Sequence, residues 1–209
     1  MRAERNSTDR FIRSSLLKRA GIGLFALILP VCLAAQAEDT PTTGKAWADS
    51  VFKAYANGRI TDGAKSLPTL HRALSHFLVA GDTCKAARIM SWRCYCYDNI
   101  GQLDSAVIAG QLGLNWFHPG CDSLILMSLN VNLSNALLSL GESERVLAIS
   151  EASLGAWNDS WPYSKARDGL YTNRAIALAN MGEMDGALEA FRDVLRNARK
   201  EGVAMIVLG

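Results

Sequence analysis

The sequence is poor in proline, has no surplus of positive charge beyond residue 37, and holds no second apolar run of membrane-spanning length. Five prolines in 209 residues are too few for an extended stalk. With 49% hydrophobic residues the chain is also too apolar for a disordered tail. Residues 1–37 carry six of the 22 basic side chains (Arg2, Arg5, Arg10, Arg13, Lys18, Arg19) and two of the 20 acidic ones (Glu4, Asp9), which leaves the remainder with a net charge of −2. A body that binds DNA or RNA needs excess Lys and Arg to displace counterions from phosphates, so no nucleic-acid partner is expected for this segment. Catalytic signatures are missing too: there is no G-x-S-x-G, no G-x-x-x-x-G-K-[ST] and no H-E-x-x-H. Of three histidines, His71 and His76 are five apart and point about 140° apart on a helix, so they do not share a metal as an i, i+4 pair could. His118 sits in a Pro-Gly turn. No C-x-x-C pair suggests zinc or redox chemistry. The expectation is no catalysis, no cofactor and no metal.

What the chain does have begins with an address. Met1–Arg19 is a positive segment, Ala20–Ala35 is apolar, and Ala35-Gln36-Ala37 supplies small residues at −3 and −1 of a cleavable bond. That order describes a Sec-type signal peptide, residues 1–37, cleaved before Glu38. Sixteen residues rise only about 24 Å as a helix, short of the roughly 30 Å hydrocarbon core, which disfavours a permanent anchor. Cys32 follows Pro30-Val31 rather than a small residue, so lipidation there is not expected. Contact with a membrane is then transient, through the signal peptide, and the product is periplasmic or secreted. A length of 209 residues suits one domain or one continuous array of repeats.

The remainder is internally repetitive. YDNIGQLDSAVIAGQLGL from Tyr97, LLSLGESERVLAISEASL from Leu137 and LANMGEMDGALEAFRDVL from Leu178 align without gaps. Their glycines, Gly101, Gly141 and Gly182, stand 40 and 41 residues apart, and five residues later come Ala106, Val146 and Ala187. An apolar helical pattern that ends in glycine predicts a left-handed residue just past a helix C-terminus. A second amphipathic helix then starts within two or three residues. Leu188, Phe191, Val194 and Leu195 are spaced as one buried face. The residue five beyond each glycine lies where the helices cross and must be small; a bulky side chain at Ala106 or Ala187 costs about 1–3 kcal/mol by overpacking. Asp82 and Asp122 are placed to cap the helices that follow them.

These helix–turn–helix units resemble the tetratricopeptide repeat (TPR) over Thr83–Lys200. Small residues at the eighth position (Cys94, Ser134, Ala175), the glycine after the first helix and the small residue five later carry the likeness, and Phe191 matches the second-helix aromatic. The third copy fits best. The first two are degenerate, and the period exceeds the usual 34 by about six. The predicted fold is all-α: a right-handed solenoid of helix–turn–helix repeats. Residues 38–82 read as an N-terminal helical pair and degenerate copy, with Gly58 at its turn and Pro68 breaking its second helix. Residues 201–209 read as the start of a further, truncated helix.

The resemblance implies a concave groove lined by first helices, with an extended peptide or a helix as ligand. Counting each glycine as position fifteen places Arg88, Trp92, Tyr95, Asn99, Asn132, Asn135, Thr172 and Asn173 on it, together with Ser91, Ser128 and Val131. Amides suit a peptide backbone, and Trp92 with Tyr95 supplies an aromatic end. Two readings stay open: Asn132 and Asn173 bond either a ligand or adjacent helices, and the aromatics serve either a ligand or the core. The carboxylate clamp of the family needs several cations; only Arg88 qualifies, so a C-terminal carboxylate is not the expected ligand. Cys84 and Cys121 begin first helices of adjacent units, where a disulfide is sterically reasonable, whereas Cys94 and Cys96 diverge on one helix and read as small packing residues. Trp116, Trp157 and Trp161 are too scattered for a sugar platform. The expectation is an exported scaffold that binds a protein or peptide. The alternative is the extracytoplasmic sensor part of a longer regulator with a histidine kinase or helix-turn-helix output.

Overall fold

A computed structural model describes residues 44–58, 62–157 and 165–200, the last four by backbone alone. The expected signal peptide (1–37) and the start of a further helix (201–209) lie outside the described residues. Among those described, the protein is all-α: α1 (Lys45–Ala56), α2 (Gly63–Val79), α3 (Thr83–Asn99), α4 (Leu103–Trp116), α5 (Ser123–Ser139), α6 (Ser143–Gly155), α7 (Lys165–Asn180) and α8 (Met184–Lys200). Each helix packs on the next, and α3 also packs on α5 as α5 does on α7.

The helix ends follow from local chemistry. Asp62, Asp82 and Asp122 precede α2, α3 and α5, and their carboxylates accept backbone N–H groups of Lys65, Lys85 and Leu124 at 3.1, 3.0 and 2.9 Å. Each thereby satisfies one of the donors a helix start leaves unpaired. At the other ends, Gly101, Gly141 and Gly182 have φ of 73°, 77° and 85°. The following residues, Gln102, Glu142 and Glu183, donate back to the carbonyls of Tyr97, Leu137 and Leu178 at 2.9 Å. These are Schellman closures, and they need a residue that enters the left-handed region without a Cβ penalty. The next helix begins two residues later in all three cases.

Small residues let the helices approach. Ala106 and Val146 are fully buried and Ala187 nearly so. Gly113 of α4 carries the closest approach: a Cβ there would lie 2.4 Å from Cδ2 of Leu129 and 3.1 Å from Cβ of Met90. Cys94 and Cys96 are fully buried as free thiols, and burial pushes them up to about 12 and about 11. They remain neutral packing groups.

Two sequence expectations are corrected. Pro68 does not break a helix; it is the sixth residue of α2. A proline that near an N-terminus removes one ladder bond, to the Ala64 carbonyl, and the buried face Leu70, Ala73, Leu74 and Phe77 outweighs the loss. The second correction concerns α8, where Leu188, Phe191 and Leu195 are 51%, 40% and 39% exposed. Ala187 and Ala190 face α7 instead, and no described helix covers the larger side chains.

Candidate functional site

Helical spacing sets four α3 residues on one face: Arg88, Ser91, Trp92 and Tyr95, one or two turns apart. On α5 the equivalent register gives Ser128, Val131 and Asn132. These seven side chains line an open cavity of about 360 Å³, bordered by Tyr55 of α1, Gly58, and Lys165 with Ala166 at the start of α7.

Arg88 is the chemical centre. Its Nη1 donates to Ser128 Oγ at 2.7 Å and more loosely to the Leu124 carbonyl at 3.5 Å. Its guanidinium also lies 5.4 Å from the Trp92 ring centroid, within cation–π range. Burial depresses the pKa of Arg88 while the charge of Asp122 opposes that depression; a guanidinium still stays protonated at neutral pH. Among the described residues no carboxylate forms an ion pair with it. A half-desolvated cation without a paired anion attracts negative charge. Lys165 adds a second cation at the rim.

The aromatic wall has two parts. Trp92 is only 6% exposed, with its ring 5.1 Å from Phe52 and 5.8 Å from Tyr55. It is therefore chiefly a core residue whose edge reaches the cavity. Tyr95 is 40% exposed and free to cover a ligand.

The amides behave unequally. Asn132 Nδ2 donates to the carbonyl and Oγ of Ser91 at 2.9 and 3.0 Å, tying α5 to α3. Asn173 is buried and donates to Asn135 Oδ1 at 2.7 Å and the Val131 carbonyl at 3.3 Å, tying α7 to α5. Both amide donors thus serve as struts between first helices, though Asn132 also lines the cavity. Asn99 donates to the Tyr95 carbonyl and Thr172 to the Asp168 carbonyl, each within its own helix. Of the eight expected groove residues, Arg88, Trp92, Tyr95 and Asn132 converge on the cavity; Asn99, Asn135, Thr172 and Asn173 do not line it. Counting repeat positions misses Tyr55, which precedes the aligned copies, and Lys165, which opens α7 ahead of the counted groove positions.

Cys84 and Cys121 are disulfide-bonded, with an Sγ–Sγ distance of 2.05 Å and Cα atoms 5.3 Å apart. The bond clips the start of α3 to the residue before the Asp122 cap of α5. No helix of the described residues is long and apolar enough to cross a membrane. No protein-family model, curated protein or solved structure matches the chain.

Proposed function

We propose that the chain is an exported, TPR-type helical scaffold that binds a protein or peptide segment along the face formed by α3, α5 and α7. The observation that carries this reading is the convergence of Arg88, Ser91, Trp92, Tyr95, Ser128, Val131 and Asn132 on one cavity, since they come from corresponding positions of consecutive first helices. The struts support the repeat itself. Asn132 reaches back to the Ser91 carbonyl and Asn173 to the Val131 carbonyl, so equivalent asparagines bond equivalent carbonyls one unit upstream. Export rests on the order of charge, apolar run and A-x-A site in residues 1–37.

Charge narrows the ligand. The unpaired guanidinium of Arg88 and the Lys165 ammonium at one cavity favour a segment with an acidic group, and the exposed Tyr95 ring favours an apolar or aromatic neighbour to that group. Two cations are too few for a nucleic-acid backbone.

Selection from a random-sequence peptide display library tests the reading. Enrichment of acidic, aromatic-containing peptides is the expected outcome, with Tyr95→Ala and Lys165→Ala each weakening the selected peptides about fivefold or more at unchanged melting temperature. Failure to enrich any peptide, or full retention of affinity in both variants, would sink it.

A further inference from the structure

His118 closes the turn before α5 so that its ring stands against the disulfide: Nε2 is 3.5 Å from Cys84 Sγ. The backbone N–H of Gly120 donates to Nδ1 of the same ring at 3.2 Å. A nitrogen that accepts a hydrogen bond carries no proton, so the neutral ring is protonated at Nε2 and aims an N–H at Cys84 sulfur. Gly120 is what allows this. A Cβ there would lie 3.0 Å from Cε1 and 3.1 Å from Nδ1 of His118, so a side chain would push the ring away.

Cys84 has a second source of stabilisation as an anion. It is the second residue of α3, where unpaired backbone N–H groups and the helix dipole favour negative charge. Asp82, two residues before Cys84, is occupied by the backbone N–H and the ammonium of Lys85. The two cysteines also differ in exposure: Cys84 is partly exposed and Cys121 is buried. A reachable sulfur with two anion-stabilising neighbours, backed by a buried partner, is an arrangement for thiol–disulfide exchange rather than for a staple alone.

We infer that Cys84 and Cys121 form an exchange-active dithiol/disulfide pair, with Cys84 the nucleophile, Cys121 the resolving thiol and His118 the positioning residue that steadies the Cys84 thiolate. The reaction partner is a disulfide in one direction and a pair of thiols in the other. In the reduced protein, the Cys84 thiolate attacks one sulfur of R–S–S–R, forming Cys84–S–S–R and releasing R–S⁻. Cys121 then gives up its proton to solvent base and attacks Cys84 Sγ, which restores the intramolecular bond and expels the second R–S⁻. The external disulfide gains two electrons and the protein dithiol loses two. Reduction by external thiols retraces these steps, with attack on the accessible Cys84 sulfur and departure of Cys121. Arg88 lies one turn beyond Cys84 on α3, so Cys84 stands one helical turn from a residue of the cavity described above. The exchange chemistry stands on its own geometry and does not need that peptide.

The test uses the full chain, reduced with dithiothreitol without denaturant and then exposed to limiting iodoacetamide at neutral pH, with peptide mass mapping. Cys84 is expected to react at least tenfold faster than Cys121, while buried Cys94 and Cys96 stay unmodified as internal controls. His118→Ala should slow Cys84 at least threefold with no change in melting temperature, and His118→Gln, which retains a donor of similar reach, should restore it. Gly120→Ala should reproduce the loss with imidazole and both cysteines still present. With glutathione disulfide as oxidant, Cys121→Ser should accumulate a mixed disulfide on Cys84. A disulfide that resists dithiothreitol until the protein is denatured would overturn the inference in favour of a staple. So would alkylation of Cys94 and Cys96 at the Cys84 rate, the mark of unfolding on reduction. Equal rates at Cys84 and Cys121, or rates indifferent to both His118→Ala and Gly120→Ala, would overturn it as well. Stoichiometric zinc uptake that shields both cysteines would replace it with a metal site.

Discussion

The α3–α4 pair and the α7–α8 pair share one sequence frame and are enclosed to different degrees, although α4 too leaves Ile108 and Leu112 exposed. The α7–α8 copy matches the repeat pattern best, yet Leu188, Phe191 and Leu195 on its second helix are all more than a third exposed. The α3–α4 copy matches worse. Even so, it contains the fully buried Ile89, Cys94, Cys96 and Ala106, lines much of the cavity and carries one end of the disulfide. Agreement with a repeat pattern and enclosure by neighbours are therefore separate properties. The first is fixed by the turn and the crossing within a unit, whereas the second depends on which helices stand on either side.

Truncation of an aromatic in each region gives the widest separation. Phe77, fully buried between α1 and α3, should lose about 3–5 kcal/mol of stability as Phe77→Ala. Phe191→Ala should lose about 1 kcal/mol or less, because much of that ring already meets solvent. Urea unfolding of both variants decides the matter. A loss at Phe191 as large as that at Phe77 would mean that the outer face of α8 is covered in solution, and the contrast between the pairs would collapse.

Glycine substitutions probe enclosure itself, with a change of sign. Gly113→Ala places a methyl group against Leu129 and Met90 and should destabilise by about 1–3 kcal/mol, despite the better helix propensity of alanine. Gly155, the last residue of α6, has nothing among the described residues within 4 Å of the added Cβ and no positive φ. Gly155→Ala should stabilise by about 0.4–1 kcal/mol through the unfolded chain. Thermal melts of the two variants should move in opposite directions.

The two strut asparagines form the next comparison. Asn132→Ala and Asn173→Ala each delete a helix-to-helix amide bond and should cost about 1–2 kcal/mol. Only Asn132 borders the cavity, so only Asn132→Ala should also weaken a selected peptide, by about fivefold in fluorescence titration. Equal binding losses in both variants would assign the effect to helix spacing rather than to the cavity.

What was legible in the sequence is what a few neighbouring residues decide by themselves. The three repeat glycines announce left-handed closures, and Asp82 and Asp122 announce caps, because each meets a backbone requirement within six residues. The first-helix register came instead from the family resemblance, and seven of the positions it gives line the cavity. Tyr55 and Lys165 were not legible, since Tyr55 belongs to α1, before the aligned copies, and Lys165 opens α7 ahead of the counted groove positions. His118 read as a turn residue, and only closure of that turn over Cys84 gives its ring a role. Periodicity grouped Leu188, Phe191 and Leu195 on one face of α8, but a pattern within one helix carries no information about what covers it. The helix containing Pro68 was misjudged for the converse reason: a local rule yielded to the burial of Leu70, Leu74 and Phe77.

Two carboxylates give the smallest expected effects, again with opposite signs. Asp49 accepts from Lys85 at 2.6 Å and from Lys45 at 3.1 Å, and those hydrogen bonds, that from Lys85 foremost, hold its pKa below the usual carboxylate range. Its ionised form therefore favours the folded state at neutral pH, and the contribution disappears as pH falls through the lowered value. Asp98 is raised by burial, with Ser139 opposing through its hydroxyl, and it also sits at the negative end of α3. Its charge costs stability at neutral pH, and the cost is relieved as pH falls through the raised value toward the usual carboxylate range. Asp98→Asn should thus raise the melting temperature at pH 7, and Asp49→Asn should lower it, both by less than the strut variants do. Melts from pH 7 downward should bring both variants back toward the parent curve, with Asp98→Asn converging at the higher pH. Convergence in the reverse order would mean that burial does not raise Asp98 and that the Lys85 ion pair joining α1 to α3 does not lower Asp49.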